Sequence, residues 1–180
     1  MKLTANGFKI LKVDLFDGRL SQAVVDALNF LVGKCEASGF TYPETAYALA
    51  TTYHETDRTM EPIKEKGSIA YLTSKKYYPY IGYGYVQITW RDNYLRVGKL
   101  IGKDLVSKPN LALNPDIAAS IMTGGMLNGW FTGVGFRRKC PVLRYDRASY
   151  IRARKIINGT DRAVAIADYA MIFEKALRSN

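Results

Sequence analysis

Thr41-Tyr-Pro-Glu-Thr-Ala-Tyr-Ala-Leu-Ala-Thr-Thr-Tyr-His-Glu55 reads as one helix, and that reading sets the fold class. Thr41 and Glu44 have the spacing of a capping box, with Pro43 in the first turn where its missing N–H costs nothing. Ala46, Leu49, Ala50 and Tyr53 recur at helical spacing and form the face expected to be buried. Glu55 closes the segment on another side, where its helical neighbours Ala48, Thr51 and Thr52 are small. A carboxylate among small side chains leaves room for a ligand. A solvated acid at a helix end is the plain structural alternative.

The rest of the chain reads as mainly α around this helix. Upstream, Ser21 can cap a first helix, with Val24, Leu28, Leu31 and Cys35 along one stripe and Gly39 beyond its end. Downstream, Met60 to Lys76 lacks clear periodicity and reads as loop with short turns; it holds Glu61 and Glu65. Asp92 to Ile101 reads as helix with Tyr94, Val97 and Leu100 inward and Gly102 as the stop. Asn114-Pro-Asp116 starts another helix running towards Trp130. Asp146 can cap a segment ending at Asn158-Gly159, and Thr160 a last helix with Ile166, Ala170, Phe173 and Leu177 on one stripe.

Between Tyr77 and Trp90 the pattern changes. Pro79, Gly82 and Gly84 break helix, and from Gly84 onward residues alternate. Val86, Ile88 and Trp90 fall on one side, and Tyr85, Gln87 and Thr89 on the other. An extended segment would bury the first set. It would turn a phenol, an amide and a hydroxyl towards a cleft, which suits a carbohydrate. A half-buried strand with a polar outer face explains the pattern equally well. Gly82 and Gly84 lack the third glycine and the strand–turn–helix context of a nucleotide fingerprint.

Composition narrows the chemistry. The 180 residues, 48% apolar and 23% charged, suit one globular domain spanning 1–180 without a separate wall-binding module. No apolar run reaches the roughly 18 residues of a membrane span, and the N-terminus lacks a signal-peptide pattern. Cys35 and Cys140 are the only cysteines, too few for a disulfide scaffold or a four-thiolate metal site. A single bridge between them stays open. His54 is the only histidine, so a zinc site with two His ligands is excluded and any nucleophile–histidine pair would have to use it. Carboxylates are left as the natural acid–base groups, and no metal or other cofactor is called for.

The formal charge is +10, and eleven Lys/Arg against four Asp/Glu lie from Phe131 onward. Such a block attracts polyanions or is simply a solvated face. Arg137-Arg-Lys139 and Arg152 to Lys155 are its densest parts. Nucleic acid is not the expected partner, because the basic and aromatic blocks lie apart and no nucleic-acid motif occurs.

Four ordered blocks then carry a resemblance. They are His54-Glu-Thr56; Met60-Glu-Pro-Ile-Lys-Glu65; Gly82-Tyr-Gly-Tyr-Val-Gln-Ile-Thr-Trp-Arg-Asp-Asn-Tyr94; and Ile156-Ile-Asn-Gly-Thr-Asp-Arg162. Together they resemble the family 19 glycoside hydrolases, and more closely their phage endolysin branch, over roughly Leu15 to Leu177. The resemblance implies a lysozyme-like helical fold with two lobes about a glycan cleft. It implies Glu55 as general acid, Glu65 as the base that activates water, and Thr89 as a holder of that water. Gln87, Asn93 and Asn158 match substrate-contacting positions, and Tyr85 and His54 are placed with them. Tyr83 stands where the family usually has arginine, and Glu61 is the rival for the second acid.

The activity implied is inverting hydrolysis of the bond from N-acetylmuramic acid to N-acetylglucosamine in peptidoglycan. The inverting scheme implies a gap of roughly 6.5–9.5 Å between the carboxyl groups. Chitin hydrolysis, a lytic transglycosylase and a glycan-binding relative without activity are the alternatives. The expected setting is phage lysis: a monomer made in the host cytoplasm, released through a holin-type lesion, and acting in the periplasm. The basic C-terminal part would add affinity for anionic outer-membrane lipid or lipopolysaccharide.

Overall fold

The structure is a computed structural model and describes residues 1–140 and 143–180. Its frame is helical: α1 (Ala5–Asp14), α2 (Gln22–Ala37), α3 (Tyr42–Glu55), α4 (Ile69–Thr73), α5 (Arg91–Ile101), α6 (Pro115–Asn128), α7 (Arg147–Ala153) and α8 (Ala163–Arg178). Two short strands, β1 (Ile63–Lys64) and β2 (Tyr83–Gly84), pair antiparallel with Ile63 opposite Gly84. No helix among the described residues is long and apolar enough to cross a membrane.

Helix α3 is the centre of the molecule. Its capping box is formed as read: Thr41 Oγ1 accepts from Glu44 N–H, and the Glu44 carboxylate accepts from Thr41 N–H. Each such cap contributes about 1 kcal/mol. Arg137 clamps the same carboxylate from a distant loop. Every residue from Pro43 to Tyr53 is buried, so the helix has no open side along this length. This corrects the one-sided reading: Ala48, Thr51 and Thr52 face core. Helix α8 packs along α3, and its stripe Ile166, Ala170, Phe173 and Leu177 is buried as expected.

Three further differences have local causes. Helix α1 is an element the sequence reading missed; Thr4 caps it by accepting from Gly7 N–H, and it packs on α8. Helix α8 starts at Ala163 after a left-handed Arg162, and Thr160 contributes only a backbone carbonyl, to Ala163 N–H. On α5, Tyr94 and Val97 are buried but Leu100 is exposed, while Gly102 ends the helix in the left-handed conformation as read.

Met60 to Lys76 is more ordered than the loop expected, since it holds β1 and α4. Cys35 and Cys140 are both free thiols, and burial pushes the Cys35 thiol up to about 12, consistent with core filling.

The segment after Gly84 is a tight turn rather than a strand. Gln87 sits at φ 49°. Beyond it, Ile88 exchanges backbone hydrogen bonds with Tyr83 at 3.1 and 3.3 Å. The reversal breaks the alternation. Tyr85 and Val86 both turn into the core, and Trp90 comes out to the surface. Gly84 has φ +87° and lies so close to its neighbours that a Cβ would stand 2.9 Å from the Ala112 carbonyl oxygen.

Candidate active site

The end of α3, the β1–β2 ribbon and the loop after α7 converge on one cleft of about 480 Å³. Glu55 and His54 enter it from α3; Glu65 from the residue after β1; Gln87 and Thr89 from the turn after β2; and Asn158 from the C-terminal half. Six of the eight residues picked from the sequence therefore meet in one place.

The other two do not line it. Tyr85 is only 1% exposed and belongs to the core, so its expected contact with substrate is corrected. Asn93 stands behind the wall: its amide Nδ2 donates to the Thr89 carbonyl at 2.8 Å and its Oδ1 accepts from Arg96. It holds the backbone that carries Thr89. Glu61 is exposed and outside the cleft lining, while Glu65 is part of it.

Each carboxylate is held by groups the sequence reading had not assigned. Arg154 follows α7, is 1% exposed, and reaches across the core to Glu55, where Nη2 donates to Oε1 at 2.9 Å. Its Nε donates to the Asp161 carbonyl at 2.8 Å, so the guanidinium is fixed at two points. The Tyr47 hydroxyl, Thr51 Oγ1 and Arg154 Nη1 are buried and make no well-formed hydrogen bond among the described residues. Burial removes Arg154 from the basic stretch, Arg152 to Lys155, expected to add affinity for anionic lipid. Arg154 is a buried counter-ion, and only its neighbours Arg152 and Lys155 are exposed.

Glu65 is fixed more tightly still. The Tyr77 hydroxyl donates to Oε1 at 2.9 Å, and Gly82 N–H donates to Oε2 at 2.9 Å. The Glu65 backbone N–H closes the ribbon on the Gly82 carbonyl at 2.7 Å. Gln87 supports the same ribbon, with Nε2 donating to the Ile63 and Gly84 carbonyls at 2.8 and 2.9 Å. A Cβ at Gly82 would stand 2.6 Å from Gln87 Oε1, so a side chain there would push that amide aside. The Tyr77 ring meets Trp90 edge-on at 5.4 Å, which fixes the phenol in turn.

Burial, and then the Glu65 carboxylate, push the Tyr77 hydroxyl up to about 12, so it remains a donor at any working pH. A hydrogen bond to a charged acceptor contributes about 1.5–3 kcal/mol. Tyr77→Phe is therefore expected to lower kcat by about tenfold or more with KM nearly unchanged. Steady-state kinetics on a soluble oligosaccharide checks this.

His54 is held below its ordinary value of 6.5, chiefly by burial; Glu55 opposes this, and Arg154 and Arg162 add to it. The imidazole is thus neutral at neutral pH. The unfolded chain takes up this proton at a higher pH than the folded protein does, so stability falls as pH drops through 6.5 and below. His54→Gln removes this contribution. Thermal melts from about pH 7 to about pH 5 should fall less steeply for the variant. Across the cleft end, Asp57 pairs with Lys66, and the ammonium holds that carboxyl below the usual carboxylate range.

Two carboxylates on opposed elements, each with its own fixed donors, now stand beside a hydroxyl and two amides in a polar cleft. Residues 27–142 match the sequence model of the family described as Chitinase class I, the family 19 glycoside hydrolases. The chain belongs to this family. It is a glycoside hydrolase with the family's helical, lysozyme-like fold.

Solved structures agree on the fold. Chitinase C from Streptomyces griseus HUT6037 matches with a TM-score of 0.60 at 19% identity, covering 98% of this chain and 79% of that one. A point mutant of chitinase C gives 0.63 at 19% identity with the same coverage. A bacterial family 19 chitinase, reported to differ from plant enzymes, gives 0.52 at 21% identity, covering 99% and 88%. No curated protein matches the chain.

Proposed function

We propose that this family 19 hydrolase is an endolysin-type muramidase, cutting peptidoglycan glycan at the bond from N-acetylmuramic acid to N-acetylglucosamine with inversion. One observation carries the mechanism: Glu55 and Glu65 line a single cleft together with Thr89. Arg154 occupies Glu55 Oε1, which leaves Oε2 to give its proton to the leaving glycosidic oxygen. As the C–O bond breaks, positive charge develops at the anomeric carbon. Glu65, ionised and fixed by Tyr77 and Gly82, accepts a proton from a water held also by Thr89. The water oxygen bonds to that carbon from the face opposite the departing sugar. Gln87 and His54 shape the wall, and Asn158 contacts the sugar from the other lobe.

Charge favours peptidoglycan over chitin. The peptides of peptidoglycan bear carboxylates and chitin bears none, so a chain of formal charge +10 is drawn to the first. Chitin is the second reading, and the names of the structural neighbours favour it. The enzyme acts as a monomer in the periplasm after release through a holin-type lesion. The exposed C-terminal cations, Arg138, Lys139, Arg152 and Lys155, add affinity for lipopolysaccharide.

Mass spectrometry of fragments from purified Gram-negative peptidoglycan, run beside chitin oligomers, tests the reading. Reducing muramic ends are expected. Anhydro ends would make the protein a transglycosylase, and cleavage of chitin alone a chitinase.

A further inference from the structure

Among the described residues, ten large apolar side chains are exposed, and four of them, Ile69, Tyr71, Tyr78 and Trp90, lie in the stretch from α4 to the start of α5 that surrounds β2. Ile69, at 83% exposed, stands out from the first turn of α4. Tyr71 and Tyr78 are 47% and 51% exposed. Ile69 and Tyr78 line one groove together with Lys64, Leu72 and Pro79. Lys75 Nζ lies 3.8 Å from the centre of the Tyr71 ring, which keeps the ammonium beside an apolar face. Lys76 is exposed next in the chain.

The C-terminal block and the region around the ribbon both carry cations without a carboxylate partner among the described residues. In the C-terminal block, Arg137, Arg147, Arg154, Lys175 and Arg178 are each paired with a carboxylate, while Arg138, Lys139, Arg144, Arg152, Lys155 and Arg162 have no carboxylate partner among the described residues. Around the ribbon Lys66 is paired with Asp57, and Lys64, Lys75 and Lys76 have no carboxylate partner among the described residues. A protruding isoleucine, flanking tyrosines and a margin of uncompensated lysines make up the chemistry of a surface that rests at a membrane interface. The apolar tip enters among the acyl chains, phenols sit at headgroup level and ammonium groups meet lipid phosphates.

We propose that the Ile69–Tyr78 face docks the enzyme on an anionic phospholipid surface. The face borders the cleft wall, since Tyr78 adjoins Tyr77, which holds Glu65. Docking there would turn the side of the cleft that carries the base towards the membrane. The inference does not depend on which glycan is cut.

Co-sedimentation at low salt, with vesicles of phosphatidylethanolamine mixed with phosphatidylglycerol, tests it. Each lysine near such a surface is worth about 1 kcal/mol, or about fivefold. The triple variant Lys64→Gln, Lys75→Gln, Lys76→Gln should therefore bind roughly a hundredfold more weakly. Ile69→Ser should lose about tenfold, and vesicles of phosphatidylcholine alone should bind wild type weakly. Both variants should keep wild-type activity on soluble glycan, which reports that they are folded. A quadruple variant of Arg138, Lys139, Arg152 and Lys155 to Gln should bind vesicles as wild type does. Three outcomes would overturn the proposal: no wild-type binding to anionic vesicles, loss of binding only in the C-terminal variant, or lysine-dependent affinity for muramyl peptides without vesicle binding.

Discussion

Glu55→Gln and Glu65→Gln should each reduce kcat by about a thousandfold or more, while Glu61→Gln stays near wild type. Acid or base catalysis by a positioned side chain is worth about a hundred- to ten-thousandfold. Neither amide can take part in the proton transfer assigned to its carboxyl. The folds should survive. In Glu55→Gln the amide oxygen still accepts from Arg154 Nη2, and Arg154 keeps its bond to the Asp161 carbonyl. In Glu65→Gln the amide oxygen can keep one of the two donors, Tyr77 or Gly82. Melting temperatures should fall by a few degrees, too little to explain the rate. Kinetics with melts on the same samples separates the two effects. Full activity in Glu65→Gln with loss in Glu61→Gln would reassign the base.

Arg154→Met has the largest expected effect outside the carboxylates. The guanidinium is almost wholly buried, and the Glu55 side chain is 19% exposed. Removing one partner of a fully buried pair costs about 3–5 kcal/mol, because the other charge is left stranded. Water still reaches Glu55, so about 2–3 kcal/mol is expected here. For a chain of this size that is roughly 5–10 °C in Tm. Glu55 also loses the contact that aims Oε2, so kcat should fall about a hundredfold with little change in KM. Arg154→Lys should recover part of the stability and less of the rate, since one ammonium cannot hold both Glu55 Oε1 and the Asp161 carbonyl as the fork does. Equal recovery of both would make Arg154 a structural counter-ion and nothing more.

The helices were readable because caps and periodicity are local. Thr41 with Glu44, Asn114, Asp146 and the left-handed Gly102 are recognisable within four residues of where they act. The turn after β2 was not readable in the same way. Its geometry rests on Gln87 at positive φ, and that is stabilised by an amide reaching carbonyls 24 and 3 residues away. Alternation placed Tyr85 in the cleft for that reason.

Arg154 failed differently. It lies in a run of cations that composition assigns to the surface, and its partner is 99 residues away. Tyr77 carried no periodic signal, and its role exists only once the ribbon brings Glu65 to it. The acids themselves were found through the family's ordered motifs. Glu55 taken by position alone would have remained a helix-end acid.

The measurement that bears most directly on the two-carboxylate account is the anomeric form of the first product. Proton NMR can follow fresh reducing ends on a soluble oligosaccharide before they mutarotate. The account predicts that they appear as the anomer opposite to the bond cleaved, because Glu65 delivers water to the far face while Glu55 protonates the leaving oxygen. Reducing ends that first appear with the original configuration would contradict it, since that outcome requires two displacements at the anomeric carbon, the first by a carboxylate or by the sugar's own acetamido group.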